Sequence, residues 1–195
     1  MAAESFQENI QRLAKGYCAG AAELLEGDPI ALYCSRHIPL SILETAERTV
    51  KEIASECVLA GGWHSRLEKR LLRTAVLSPT SRILYFLAKG IDRFCLPKML
   101  RPLYSGGRLL ILSPFRMEPR ITRSLADQRD AWMRTFIQRY FFCYIDPEGM
   151  TTTLFQQCLN EGKRVYLLDH PQNAPFIEQA TAAISRYNYR EVLFT

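Results

Sequence analysis

Nowhere in the 195 residues does an apolar run approach the roughly 18 residues that a membrane-crossing helix needs. The densest apolar stretch, Tyr140–Ile145, has only the length of a strand. None of the six cysteines, at positions 18, 34, 57, 95, 143 and 158, forms a C-x-x-C pair. Cys34, Cys57 and Cys143 sit inside apolar runs, where a thiol acts as a small hydrophobe. The three histidines, His37, His64 and His170, fall on separate loops without ligand spacing, so no metal site and no cofactor is expected. Neither a Walker-type lysine nor a G-x-G-x-x-G turn occurs, which argues against a classical ATPase or NAD enzyme. The amino terminus is polar and amphipathic rather than signal-like, so a reducing, cytoplasmic setting without disulfides is expected. No repeat, low-complexity tract or convincing linker divides the chain, and 1–195 reads as one domain.

What the chain does contain is an ordinary globular balance, 48% hydrophobic and 23% charged, with a formal charge of +5. That excess permits an anionic partner without requiring one. Apolar runs alternate with helical patterns. Helical spacing of Ile10, Leu13, Tyr17, Ala21, Leu24 and Leu25 predicts a helix over Phe6–Leu25, within an N-terminal helical extension at 1–27. Ile30–Cys34, Cys57–Ala60, Arg82–Leu87, Leu109–Leu112, Tyr140–Ile145 and Arg164–Leu168 read as buried strands, with a short terminal strand at Glu191–Phe194. Between them, helices are expected from Ser41 to Ala54, with Ser41 and Glu44 as a capping box, and over His64–Val76, Leu96–Tyr104, Ile121–Ile137, Thr151–Asn160 and Asn173–Ile184. The alternation implies an α/β, Rossmann-like three-layer sandwich: a mostly parallel sheet of six or seven strands, helices on both faces.

In such a sheet, ligands bind beyond the carboxyl ends of the strands. Four loops there carry the candidate site. Ser35 and Arg36 follow the first strand and offer a hydroxyl and a guanidinium to a phosphate. Gly61 and Gly62 let the backbone approach a ligand, with His64 and Ser65 at the next helix start, where either side chain also suits a cap. Trp63 suits packing, or stacking on a base. The polar segment after Ser113 brings Arg116, Arg120, Arg123 and, on the following helix, Arg129. Asp127 and Asp130 stand close enough to pair with some of these. Gly149 with Thr151, Thr152 and Thr153 forms a glycine-hydroxyl turn at a helix start, favourable for an anion.

Taken in order, these segments resemble the Rossmann-like domain of the DNA-processing protein DprA/Smf family over roughly Ala31–Ile184. Cys34-Ser35-Arg36 resembles that family's G-[ST]-R, and Leu59–Ser65 its S-G-x-A-x-G-I-D loop. Lys89-Gly90-Ile91-Asp92 with Leu96-Pro97 is similar to G-x-G-[IL]-D…Y-P. Gly107–Pro114 is similar to G-x-[LI]-[LI]-S-E-x-P, and Gly149–Thr153 to S-G-[ST]-x-x-T-A. Gln128-Arg129-Asp130 stands where the family has R-N-R, so Arg129 alone keeps an arginine there, and Cys34 replaces the glycine of the first motif. The resemblance implies single-stranded-DNA binding and a homodimer. In the four loops Arg129 is expected to supply the main charge, Ser35 and Arg36 to contact phosphate, and Gly149, Thr151 and Thr152 to donate hydrogen bonds.

Arg129–Met133 is also similar to the R-K-x-x-M of the LOG phosphoribohydrolases, with Asp130 in place of lysine. Their glycine-rich motif is matched only in outline at Pro147–Phe155, and Leu154, Phe155 and Gln156 fill the region of its catalytic glutamate. Without that carboxylate, N-glycosidic hydrolysis lacks its charge stabiliser. The expected function is binding of single-stranded DNA or a nucleotide. The alternatives are a nucleoside-monophosphate phosphoribohydrolase and a ligand-free oligomeric scaffold.

Overall fold

The computed structural model describes residues 10–13 and 15–195. One nine-stranded sheet runs through it, in the order β1-β2-β6-β5-β4-β3-β7-β8-β9. The strands are β1 (Gln11–Leu13), β2 (Gly16–Gly20), β3 (Ile30–Tyr33), β4 (Val58–Gly61), β5 (Arg82–Phe86), β6 (Leu109–Ser113), β7 (Arg139–Phe142), β8 (Arg164–Leu168) and β9 (Ala182–Ile184). From β6 to β9 every neighbouring pair is parallel, which gives seven parallel strands. The hairpin β1–β2 adds two antiparallel strands on the free edge of β6. The expected α/β, Rossmann-like architecture is thus the one observed.

Helices α1 (Leu40–Glu56), α2 (Arg66–Val76) and α3 (Arg101–Ser105) connect β3 through β6, and α7 (Tyr189–Leu193) follows β9. Their apolar residues join one core layer, with Ile42, Val50, Ile53, Leu71 and Leu103 against Leu32, Leu59, Ile83 and Ile111. Helices α4 (Arg123–Met133), α5 (Met150–Asn160) and α6 (Ala174–Ile177) line the other layer. There Trp132, Met133, Phe155 and Phe176 meet Tyr33, Phe86, Tyr140 and Phe142. Strands buried on both faces explain why they read as continuous apolar runs. The two layers exist because the strand order reverses between β3 and β7: right-handed crossovers running in opposite directions must lie on opposite faces.

Four expectations are corrected. The helix over Phe6–Leu25, and with it the helical extension, is replaced within the described residues by β1, β2 and a 3-10 turn at Ala22–Glu26; residues 6–9 and 14 lie outside them. The open edge of β6 supplies backbone partners that the helical pattern could not reveal, and Gly16 and Gly20 are poor helix formers. The helix over Asn173–Ile184 stops after Ile177, and its last residues become β9, pairing with β8. Glu191–Phe194 is not a strand: Tyr189–Leu193 is the short helix α7. The Ser41–Glu44 capping box does not form, because α1 begins at Leu40 and Pro39 is the cap position. Glu44 instead pairs with Arg48 one turn on.

Candidate functional site

The reversal between β3 and β7 opens a crevice at the carboxyl edge of the sheet. Its floor is an unusually well-anchored segment, Cys143–Asp146. The Cys143 N–H donates to Tyr33 O at 2.9 Å, and the Ser35 N–H donates to Tyr144 O at 3.0 Å. The Asp146 N–H donates to Ser35 Oγ at 2.8 Å. From the β8 side, the buried Asn173 amide donates to Cys143 O and Leu168 O and accepts from the Ile145 N–H. Successive backbone groups are therefore satisfied where regular strand pairing ends. Ser35, expected on a phosphate, is 3% exposed and its oxygen already accepts a hydrogen bond. The Thr152 hydroxyl likewise turns inward, donating to Asp146 O at 2.7 Å. Thr151 is half-buried, Thr153 is exposed, and Gly149 caps α5 without any side-chain cap.

Above that floor lies an open cleft of about 570 Å³, walled by the Arg36–Leu40 segment, Leu43, Arg66, Leu67, Tyr144 and Asp146. Arg36 and Arg66 are exposed, and among the described residues neither forms an ion pair. Asp146 is the one carboxylate on this wall, and its Oδ1 accepts from the Glu148 N–H, closing the loop on itself. Arg36 was legible in the sequence. Arg66, Tyr144 and Asn173 belong to none of the four loop motifs. Arg66 did leave a signal: a cation in the first turn of a helix opposes the helix dipole, so something other than helix stability favours it there.

The Gly61–Ser65 loop has a different character from the one expected. A methyl group at Gly61 would lie 2.9 Å from the Trp63 indole, and one at Gly62 would lie 1.5 Å from Arg129 Nη1. Both glycines thus accommodate the protein's own side chains, which fill the space assigned to a ligand. Trp63 is fully buried at a φ of 52°. Ser65 and Glu68 form a capping box, and the Glu68 carboxylate also accepts the His64 N–H at 2.8 Å. That carboxylate occupies the start of α2, leaving less of it for an anion. Burial, then the nearby charges of Arg129 and Lys69, push the His64 pKa down to about 3, so its imidazole is neutral.

Arg129 is the largest departure. It is 4% exposed and points across the sheet edge onto Gly62, donating from Nη1 to Phe86 O at 3.2 Å. Its Nε lies 2.9 Å from Asp130 Oδ1, close enough for an ion pair but misaligned for a hydrogen bond. Tyr33 Oη donates to the same carboxylate oxygen at 2.7 Å. An arginine held this way presents little charge to solvent, contrary to the role of main phosphate contact. Arg116 is exposed but shared with Asp92 at 3.2 Å, Arg120 is exposed without an ion pair among the described residues, and Arg123 reaches Met150 Sδ at 3.1 Å. The neighbourhoods of Ser35, Gly61, Arg129 and Thr151 all lie on the same edge, linked by the Arg129–Gly62, Arg123–Met150 and Thr152–Asp146–Ser35 contacts.

No protein-family model matches the chain, and no curated protein sequence matches it. Solved structures do. DNA processing protein A from Helicobacter pylori, a single-stranded-DNA-binding protein, superposes with a TM-score of 0.74 at 16% identity, over 92% of this chain and 86% of that one. The fold is that of the DprA structures. DprA from Streptococcus pneumoniae gives a TM-score of 0.70 at 14% identity over 89% of this chain, which spans 64% of that protein. The molybdenum cofactor carrier protein of Chlamydomonas reinhardtii is a more distant likeness, with a TM-score of 0.56 at 15% identity over 85% of this chain. The architecture expected from the DprA resemblance is therefore present, with Arg129 turned into the protein.

Proposed function

We propose that the chain is a binding module for single-stranded nucleic acid or a nucleotide, holding phosphate at the cleft between β3 and β7. The observation that carries this reading is the pair Arg36 and Arg66: two exposed guanidinium groups on one cleft, neither neutralised by a carboxylate among the described residues. Guanidinium binds phosphate oxygens in pairs, and apolar walls such as Pro39, Leu40 and Leu67 suit a base or sugar. The start of α5, where Gly149 supplies no side-chain cap, adds the backbone N–H groups of Met150 and Thr151 on the same edge. The shared fold with an H. pylori protein that binds single-stranded DNA supports the same class of ligand. The phosphoribohydrolase alternative finds less support, since α5 presents Leu154 and Phe155, both buried, where a carboxylate is needed. The cytoplasmic setting and the homodimer belong to the proposal, and mass measured across concentration tests the dimer.

The deciding experiment is a salt titration of single-stranded DNA, duplex DNA and a nucleoside monophosphate against the wild type and Arg36→Ala/Arg66→Ala. Each phosphate neutralised on a single strand contributes about 0.7 to the slope of log K against log salt. The double variant should lose about 1.4 from that slope and bind the monophosphate more weakly. A wild-type slope near zero, or one the variant leaves unchanged, refutes the cleft as the site. Release of ribose 5-phosphate from any of the common monophosphates would favour the enzyme instead.

A further inference from the structure

We propose that the amino-terminal hairpin β1–β2 is a second contact surface for single-stranded nucleic acid, receiving the strand as it leaves the cleft. This rests on the reading above and extends it to residues outside the four loops. Strand register fixes the hairpin's place. Tyr17 pairs with Ser113, the last residue of β6, in antiparallel sense. The paired ends of β1 and β2, with Leu13 opposite Gly16, therefore stand at the carboxyl edge of the sheet, the edge that carries the cleft. The hairpin is anchored there. A methyl group on Gly16 would lie 2.4 Å from the Trp132 ring and 2.8 Å from Ser113 O, so the backbone is packed directly onto α4 and β6.

The hairpin carries the chemistry that a single strand requires. Lys15 stands exposed just before β2 at a left-handed φ of 61°, and Arg12 is exposed on β1. Neither makes a hydrogen bond or ion pair among the described residues, so both charges are available. Arg12 lies directly opposite Tyr17 across the β1–β2 pair, and cross-strand partners share a face. The Arg116 guanidinium, shared with Asp92, lies 5.7 Å from the same half-buried tyrosine ring, so the unshared charges beside it are those of Arg12 and Lys15. An aromatic ring set among cations holds a single strand through base stacking and phosphate contact together. A duplex keeps its base faces stacked internally and gains only the charge.

Distance makes the inference separable from the cleft itself. From β3 the order runs through β4, β5 and β6 to β2, four inter-strand steps. At about 4.8 Å per step β2 lies about 19 Å from β3 and about 14 Å from β4, which leads to Arg66 on the near wall of the cleft, and both gaps are beyond the reach of one nucleotide. An oligonucleotide spans that gap, so affinity should rise with length until the hairpin is engaged.

The test compares a nucleoside monophosphate with short and long oligothymidylates of about three and about twelve nucleotides. The variants are Arg12→Gln/Lys15→Asn, Tyr17→Ala and Tyr17→Phe; asparagine tolerates the left-handed φ at position 15. The charge variant should bind the long strand with a slope lower by about 1.4 and leave the monophosphate unaffected. Tyr17→Ala should weaken the long strand by about tenfold or more, and Tyr17→Phe should restore it, since the stacking face is kept. Long-strand binding that matches wild type in affinity and slope in the charge variant, while the monophosphate still binds, overturns the hairpin surface and leaves the cleft standing. A wild type that binds none of the three ligands overturns the cleft, and the hairpin inference with it.

Discussion

Replacing Gly62 by alanine distinguishes a glycine that admits a ligand from one that admits an arginine. Its φ lies outside the left-handed region, so alanine imposes no backbone penalty. The obstacle is the Arg129 guanidinium, with Nη1 at 1.5 Å, Cζ at 2.3 Å and Nη2 at 2.6 Å from the new methyl. The guanidinium must leave its seat. Leaving forfeits the charged hydrogen bond to Phe86 O, worth about 1.5–3 kcal/mol, and disrupts the pairing with Asp130. Breaking a fully buried pair costs about 3–5 kcal/mol, but the Asp130 side chain is 21% exposed and keeps the Tyr33 hydrogen bond, so the lower end applies. A destabilisation of about 3 kcal/mol follows, or roughly 6–12 °C in Tm for a chain of this size. Urea and thermal denaturation measure it. Arg129→Ala should be destabilising by itself, and Gly62→Ala should add almost nothing in that background, because the obstruction is gone. Gly62→Ala within about 0.5 kcal/mol of wild type, accompanied by lost nucleotide binding, would refute the packing account and restore the ligand-approach role.

The remaining expectations concern the same edge. His64 has a folded-state pKa near 3 against an ordinary 6.5, so its contribution to stability is complete above pH 6.5 and is lost as pH falls toward 3. Relative to His64→Gln, the wild type should lose about 2 kcal/mol between pH 7 and pH 5 in urea titrations; parallel curves would show that the imidazole is hydrated. Asn173→Ala leaves two buried carbonyls and one amide without their partner and should cost about 2–4 kcal/mol, with faster hydrogen exchange at the Ile145 amide as its local signature. An unchanged exchange rate at Ile145 would mean that water or a neighbour replaces the side chain. Tyr33→Phe removes one bond to a carboxylate and should cost about 1.5–3 kcal/mol, with no effect on the salt slope of binding.

The parallel core was legible because β3 through β8 are buried on both faces and so appear as apolar runs, and because the turns between them carry glycine or proline. Legibility failed where the deciding partner is remote. Tyr17 and Leu13 satisfy a helical spacing, but Tyr17–Gly20 pair with Leu110–Ser113, about a hundred residues along the chain. The cost of two glycines at 16 and 20 was the only local warning. At the carboxyl end, Ala182–Ile184 is a strand because β8 offers it an edge, which the chain first meets at Thr181, whose N–H donates to Val165 O. In the candidate site, Arg36 could be read from its place after a strand, yet the direction of Arg129 could not. A side chain's direction off a helix depends on what it meets, and here that is Gly62, far back in the chain.

The inward turn of Arg129 changes which measurement should respond to its loss. A phosphate-facing arginine contributes to binding and to its salt dependence, and its removal leaves stability nearly untouched. An arginine 4% exposed, bonded to Phe86 O and paired with Asp130, contributes to the fold. Removing it strands the Asp130 carboxylate with Tyr33 as its remaining partner and vacates the space over Gly62. Arg129→Ala should therefore lower Tm by several degrees while the slope of log K against log salt stays at the wild-type value. Arg36→Ala and Arg66→Ala should do the reverse, because both side chains are exposed and unpaired among the described residues. If Arg129→Ala instead flattens the slope at constant Tm, the buried pose opens when nucleic acid binds. The charge would then move out of the protein onto phosphate at the cost of the Asp130 pair, and Gly62 would be the residue that lets it swing.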